Sequence, residues 1–239
     1  MTPQAPVRRV AILAPMRSEL QPLVRRLGLR RPRVGQGGLW SGAVGLVEVV
    51  ATITGVGTRA ASRAAERILD STAVEALFVV GVAGGIGPSV DIGDLVVPAL
   101  VLDRTSEAVY RPHRIVGTEP RGTLATSDEL LVDPHKAAQL EQEGVIAVDM
   151  ETAAIAAVCE RRGCPWSVFR AISDRADDGS TDPAIFGLAG PDGRPNLSAL
   201  ARFVLTRPGR IPQLGRLARG LRLATRAAAD AAVHALESL

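Results

Sequence analysis

The chain has 239 residues, 46% hydrophobic and 22% charged, which suffices for one α/β domain with a sizeable core and excludes a disordered polymer. Its net charge of +3 hides a local excess, because residues 193–229 carry eight arginines and no acid; with aromatics at only 3%, a nucleic-acid partner is not expected. Two cysteines, three scattered histidines and a single lysine (Lys136) remove a disulfide framework, a histidine-built zinc site, Schiff-base catalysis and a lysine-dependent P-loop.

Taken in chain order, Met1 to Arg9 holds two prolines and two arginines but no signal-peptide core, and with only two cysteines, Cys159 and Cys164, a cytoplasmic protein is expected. Val7 to Ala14 reads as a buried first strand, turned at Pro15 into a helix from about Arg17 that aligns Leu20, Leu23, Val24 and Leu27. Gly35 to Ser41 is turn-rich, Val47 to Thr54 is β-branched and strand-like, and Ala60 to Leu69 is helical. Ala76 to Val82 and Leu95 to Leu102 read as buried strands, and Ser127-Asp128 as a helix start running to about Gln142. Val145 to Val148 is a strand, Ala153 to Arg161 a helix and Trp166 to Ile172 a strand. Strands alternate with helices, so an α/β layer fold follows. No apolar run reaches the roughly 18 residues of a membrane span.

Three motifs bear on chemistry. Gly55-Val56-Gly57-Thr58-Arg59-Ala60 matches a dinucleotide fingerprint, but it follows an internal strand and lacks the acid some 20 residues on; a turn facing a ligand's sugar or phosphate fits better. The glycine cluster from Gly81 to Gly87 ends a strand, where open α/β sheets hold ligands, or else makes a sharp connection. The third is Asp149-Met150-Glu151 followed by Arg170 and Ser173-Asp174: three carboxylates and an arginine at the ends of apolar strands. Glu151 could serve only the positive end of a helix dipole and Asp174 only an N-cap, but two such caps at two buried strand ends point to a site.

The blocks AILAPMRSEL, TGVGTRAAS, GVAGGIGPSVDIGDLVV, ATSDELLV, AVDMETAAIAAVC and FRAISDRAD resemble, in order and spacing, the nucleoside phosphorylase and nucleosidase superfamily. Within it they are most similar to the methylthioadenosine/S-adenosylhomocysteine nucleosidases. The resemblance implies a three-layer αβα sandwich on a mixed central sheet, a site at its carboxyl edge, a nucleoside substrate, a homodimer, and no metal or organic cofactor. It makes Asp174 the general acid at N7 of the departing purine, supported by Ser173, and Glu19 the base for the attacking water. A free aspartic acid is almost fully ionised at neutral pH, so such an acid needs desolvation or a shared proton. Arg170 would order the site near that water, Glu151 would accept from the ribose diol, and Met150 would pack under the sugar. Leu131 would offer backbone groups to adenine. Leu130 stands where the family has a stacking aromatic, and Val82 stands for a serine beside Gly84. The first loop reads Met16-Arg17-Ser18-Glu19 rather than an acidic run. A carboxylate at Glu19 repels phosphate, which favours water as nucleophile over phosphorolysis; Arg17 and Arg59 are the residues that would hold phosphate.

After Asp178 the chain instead resembles the tail of hopanoid-associated phosphorylases, so adenosylhopane is an alternative substrate. On a helical wheel Leu214, Leu217, Leu221, Ala224 and Ala228 share one face, with Arg216, Arg219, Arg222 and Arg226 opposite. That pattern suits either a packed terminal helix or a basic extension (about 193–239) resting on anionic lipid. A nucleoside-binding sensor is the non-enzymatic reading, and the presence of both Glu19 and Asp174 speaks against it.

Overall fold

The computed structural model describes residues 8–31, 38–115, 117–131, 133–175 and 206–239. In β1 (Arg8–Ala14) the five residues from Val10 are all buried, as befits a strand covered by helices on both sheet faces. Val10, Ile12 and Ala14 join Val49, Ala51, Phe78, Val80 and Phe169 in one core layer. Ala11 and Leu13 join Leu77, Val79, Val168 and Ile172 in the other. The period-2 alternation of side chains thus fills two layers from one run of apolar residues.

Helices α1 (Arg17–Arg26) and α5 (Ile211–Glu237) cover the first face through Leu20, Leu23, Ala224, Ala228, Ala232 and Leu236. Helices α2 (Thr58–Ser71) and α4 (Thr152–Arg162) cover the second through Ala61, Ala65, Ile68, Ile155, Ala156 and Cys159. The remaining elements are β2 (Trp40–Val44), β3 (Val47–Ile53), β4 (Ala76–Gly85), β5 (Leu95–Val96), β6 (Leu100–Asp103), β7 (Val109–Tyr110), β8 (Thr123–Thr126), α3 (Pro134–Gln142), β9 (Val145–Asp149) and β10 (Trp166–Arg175). The three-layer sandwich on a mixed sheet is as expected. β1 lies parallel to β3 and β4, and β10 parallel to β4, while β2–β3, β4–β9, β6–β7 and β5–β10 are antiparallel.

What positions the site is a fork in this sheet. The first half of β4 pairs with β1, its last two residues Gly84 and Gly85 pair with β9, and β10 follows its other edge to the end. The carboxyl ends of β4, β9 and β10 therefore converge.

Several local expectations are corrected. Trp40 to Ser41 belongs to β2 rather than a turn; residues 35–37 of that stretch lie outside the described residues. The strand expected over Leu95 to Leu102 is two strands, because Pro98 has no N–H to continue a ladder. β8 was not anticipated. Helix α3 starts at Pro134, capped by Asp133, whose side chain accepts from the His135 amide at 2.9 Å; Ser127-Asp128 does not start it. In α5 the apolar stripe turns inward, with Ala224 and Ala228 buried and Leu214, Leu217 and Leu221 half-buried, while Arg216, Arg219, Arg222 and Arg226 are exposed. The 193–205 part of the expected basic extension lies outside the described residues. Among the described residues no helix is long and apolar enough to cross a membrane.

Candidate active site

Among the described residues Arg170 is the largest fully buried side chain, and it organises the sheet's fork. Its Nη2 donates to Asp149 Oδ2 at 2.5 Å and to Glu151 Oε2 at 3.1 Å, and its Nη1 lies 3.8 Å from Glu19 Oε1. Nη1 also donates to the Val82 carbonyl at 3.2 Å, and Nε to Thr152 Oγ1 at 3.3 Å. An unpaired buried cation would be prohibitive. Here burial works against the charge, but Asp149, Glu151 and Glu19 outweigh it and hold the guanidinium firmly protonated. Gly81 explains how the side chains fit: a Cβ there would overlap both Glu19 Oε1 and Arg170 Nη1. The glycine clears side chains rather than admitting a ligand to the backbone.

Glu19 sits in the first turn of α1, where its carboxylate can reach back to an unsatisfied amide. Oε2 accepts from the Met16 amide at 2.7 Å and Oε1 from the Val82 amide at 2.8 Å. Those bonds and Arg170 favour the anion, yet burial prevails and pushes its pKa up to about 7.

Glu151 is buried at the start of α4, with Oε1 accepting from the Gly57 amide at 3.0 Å. Desolvation first, then the nearby negative charge of Asp149 and Glu19, pushes it to about 7 against the pull of Arg170 and Gly57. Gly57 reaches this position with φ of 97°, a conformation that favours glycine. The glycine turn after β3 therefore holds a carboxylate of the site, not a dinucleotide. Next to it, Asp128 accepts from the Thr58 amide at 2.8 Å and the Thr58 hydroxyl at 2.5 Å, tying the loop that carries Leu130 and Leu131 to the start of α2.

Asp174 follows a bulge. Pairing of β10 with β4 shifts by one between Ile172 and Asp174, so Asp174 rather than Ser173 stands opposite Gly84. Such an inserted residue turns the side chains beyond it and is a common device beside active sites. Ser173 Oγ donates to Asp174 Oδ1 at 2.5 Å and approaches the Ala83 carbonyl at 3.5 Å. A Cβ on Gly84 would lie 3.8 Å from Asp174 Oδ2, which places the carboxyl over the glycine cluster. Glu19 thus lies against Gly81 and Asp174 against Gly84, three residues further along β4.

The structure thus gathers Glu19, Glu151, Arg170, Val82 and Met16 into one hydrogen-bonded cluster, with Asp174, Ser173 and Gly84 at its edge. Met150 is half-buried beside Glu151; Leu130 and Leu131 are half-buried, and Leu131 packs on the Ile86–Leu140 cluster. Sequence reasoning noted Asp149 without a role and missed Thr126 and Thr152. Thr126 Oγ1 donates to Asp149 Oδ1 at 2.6 Å, and the Thr152 hydroxyl donates to Oδ2. The available signal was two threonines each placed at a strand end or helix start beside a buried acid. Two surface cavities of about 350 and 460 Å³ open elsewhere, beside Thr58–Arg63 and beside Trp40–Ile68, and neither is lined by these carboxylates. Among the described residues no three His, Cys, Asp or Glu side chains are arranged to hold a metal ion.

Comparison with known proteins agrees with this architecture. The 5'-methylthioadenosine/S-adenosylhomocysteine nucleosidase of Chromohalobacter salexigens is 29% identical over 201 residues, 71% of this chain and 86% of the relative. That of Anoxybacillus flavithermus is 26% identical over 198 residues, covering 70% and 85%. Among solved structures, the Helicobacter pylori 5'-methylthioadenosine/S-adenosylhomocysteine nucleosidase superposes with a TM-score of 0.74 at 19% identity, over 98% of this chain and 99% of that one. Futalosine hydrolase of the same organism gives 0.76 at 18%, with the same coverage. The model of the phosphorylase superfamily matches residues 9–121 and 117–206, and on that match the chain belongs to the phosphorylase superfamily, whose nucleosidases it parallels over most of their length.

Proposed function

We propose that the protein hydrolyses the N-ribosidic bond of a purine nucleoside, an adenosine with a 5′ substituent of the methylthioadenosine or S-adenosylhomocysteine type, and releases the base. The observation that carries this reading is Glu19: a fully buried carboxylate, fixed by two backbone amides and held near pH 7. A general base is most useful when its pKa lies near the working pH. Breaking the bond leaves an oxocarbenium-like ribose and a purine anion, and asks for an acid on one side and an activated water on the other. Asp174 supplies the proton to the purine. The Ser173 hydroxyl then stabilises the carboxylate left behind. Glu151 keeps lone pairs for the ribose diol, since a carboxylate offers about four acceptor sites and Gly57 and Arg170 use two. Glu19 deprotonates the water, and its negative charge disfavours phosphate in the same place.

The names of the relatives support the 5′-substituted adenosine. The test is release of free base from methylthioadenosine, S-adenosylhomocysteine, adenosine and an inosine-type nucleoside, each with and without phosphate. Fast release from the first two, independent of phosphate, is expected. Release that requires phosphate and yields ribose 1-phosphate would make the protein a phosphorylase. A folded protein that binds these nucleosides and cleaves none would make it a binder.

A further inference from the structure

Helix α5 contains two glycines, Gly215 and Gly220, in a segment otherwise rich in alanine and leucine. Glycine in a helix interior is unfavourable relative to alanine, so each calls for a reason. Gly215 has none in its surroundings: a Cβ there would meet nothing within 4 Å. Gly220 is buried, and a Cβ there would overlap the carbonyl oxygen of Ser173 and come within 3.2 Å of Ile92 Cγ2. Ser173 is the bulge residue that sets Asp174 opposite Gly84. Just before the bulge, the same loop that carries Ile92 clamps β10, with the Gly93 amide donating to the Ile172 carbonyl at 2.8 Å and the Ile172 amide to the Asp94 carbonyl at 2.9 Å.

We propose that Gly220 is a positioning residue for catalysis: α5 seats the Ser173 bulge in the notch that a missing side chain leaves, and this seat aims Asp174 at the departing base. The proposal rests on Asp174 being the general acid. A methyl group at 220 must push either the helix away or the Ser173 carbonyl inward, and the carboxyl one residue on moves with it. A displacement of about 1 Å at a reacting group costs on the order of 10²-fold in rate.

The experiment compares Gly220→Ala with Gly215→Ala on methylthioadenosine. Gly220→Ala is expected to lower kcat about 10²-fold with KM within about threefold, because Glu151 and the purine loop are untouched. Gly215→Ala is expected to keep wild-type kinetics with an unchanged or higher Tm. In an Asp174→Asn background, Gly220→Ala is expected to cost less than about threefold more in single-turnover rate, since the group it aims is already disabled. Wild-type kcat in Gly220→Ala, or the same 10²-fold loss on top of Asp174→Asn, overturns the proposal. If Gly220→Ala does not fold, Ile92→Ala loosens the same seat from a half-exposed position and lowers kcat without changing KM; unchanged kcat there overturns it too. A wild-type protein that cleaves no nucleoside refutes the functional reading instead. The crystal structure of Gly220→Ala then decides the positioning role, which fails if the Ser173 carbonyl and the Asp174 carboxyl have not moved.

Discussion

Replacing Glu19 by glutamine tests the electrostatics of the cluster without needing an activity. A carboxyl held at about 7 in the fold but near its ordinary 4.5 in the unfolded chain takes up a proton on folding throughout that window. Stability therefore falls as pH rises from about 4.5 to about 7, by about 1.4 kcal/mol per pH unit, or about 3 kcal/mol in all. Glutamine carries no such proton. It does lose one acceptor, so one of the Met16 and Val82 amides is left short, at about 1–3 kcal/mol. That cost is independent of pH, and a protonated Glu19 shares much of it. Glu19→Gln should therefore look no more stable than wild type at pH 5 and gain on it by about 3 kcal/mol by pH 8. For a chain of this size the gain is about 6–12 °C in the difference of Tm values, read by differential scanning fluorimetry across pH 5–8. A difference that stays flat over this range would mean that Glu19 ionises at its ordinary value, and the case for a base poised at neutrality would be lost.

Three further outcomes follow from the same geometry. Asp174→Asn should fold normally and lose about 10²–10⁴-fold in kcat for base release, and a loss of less than tenfold would remove its role as general acid. Arg170→Met keeps the length of the side chain but leaves Glu19, Asp149 and Glu151 buried without their cation, so urea unfolding should register a loss of about 3–5 kcal/mol. An unchanged midpoint would show that the carboxylates do not depend on Arg170. Because a base must be ionised to act, kcat/KM should fall about tenfold per pH unit below about pH 7, whereas a profile level down to pH 5 would contradict the pKa assigned to Glu19.

Much of the fold was legible because its central strands are buried on both faces. β1, β3, β4, β9 and β10 all emerged from apolar or β-branched runs. β8 escaped because it has only four residues, Thr123–Thr126, and both ends are polar. The false helix start at Ser127-Asp128 has an instructive cause. Asp128 does cap a helix, but the one it caps is α2, 70 residues earlier, through Thr58. Local spacing signals that a carboxylate suits an amide end; it does not say whose. The site was legible to the same extent. Asp149, Glu151, Arg170 and Asp174 were recognisable as charged residues at the ends of apolar strands, whereas Glu19 was indicated only by the family resemblance. The bond from Arg170 to Asp149, and the bulge that turns Asp174, involve pairings between elements distant in sequence, which a linear pattern does not encode.

One cation cannot neutralise three buried carboxylates, and that imbalance is itself informative. With Asp149 tied to Arg170 and to two threonines, the surplus falls on Glu19 and Glu151, both held near pH 7 chiefly by burial. A site meant only to bind a neutral sugar gains nothing from a surplus it must partly neutralise with protons. A site meant to stabilise positive charge developing on the ribose gains directly, because preorganised negative charge in a dry pocket interacts most strongly with the transition state. A sugar mimic carrying a ring ammonium that stays protonated through pH 8 should therefore bind more tightly as pH rises from 6 to 8 and the two carboxylates ionise. Its neutral carbocyclic counterpart should not follow that trend. Titration calorimetry at the two pH values distinguishes them, and equal pH dependence for both mimics would mean that the surplus charge does not face the sugar at all.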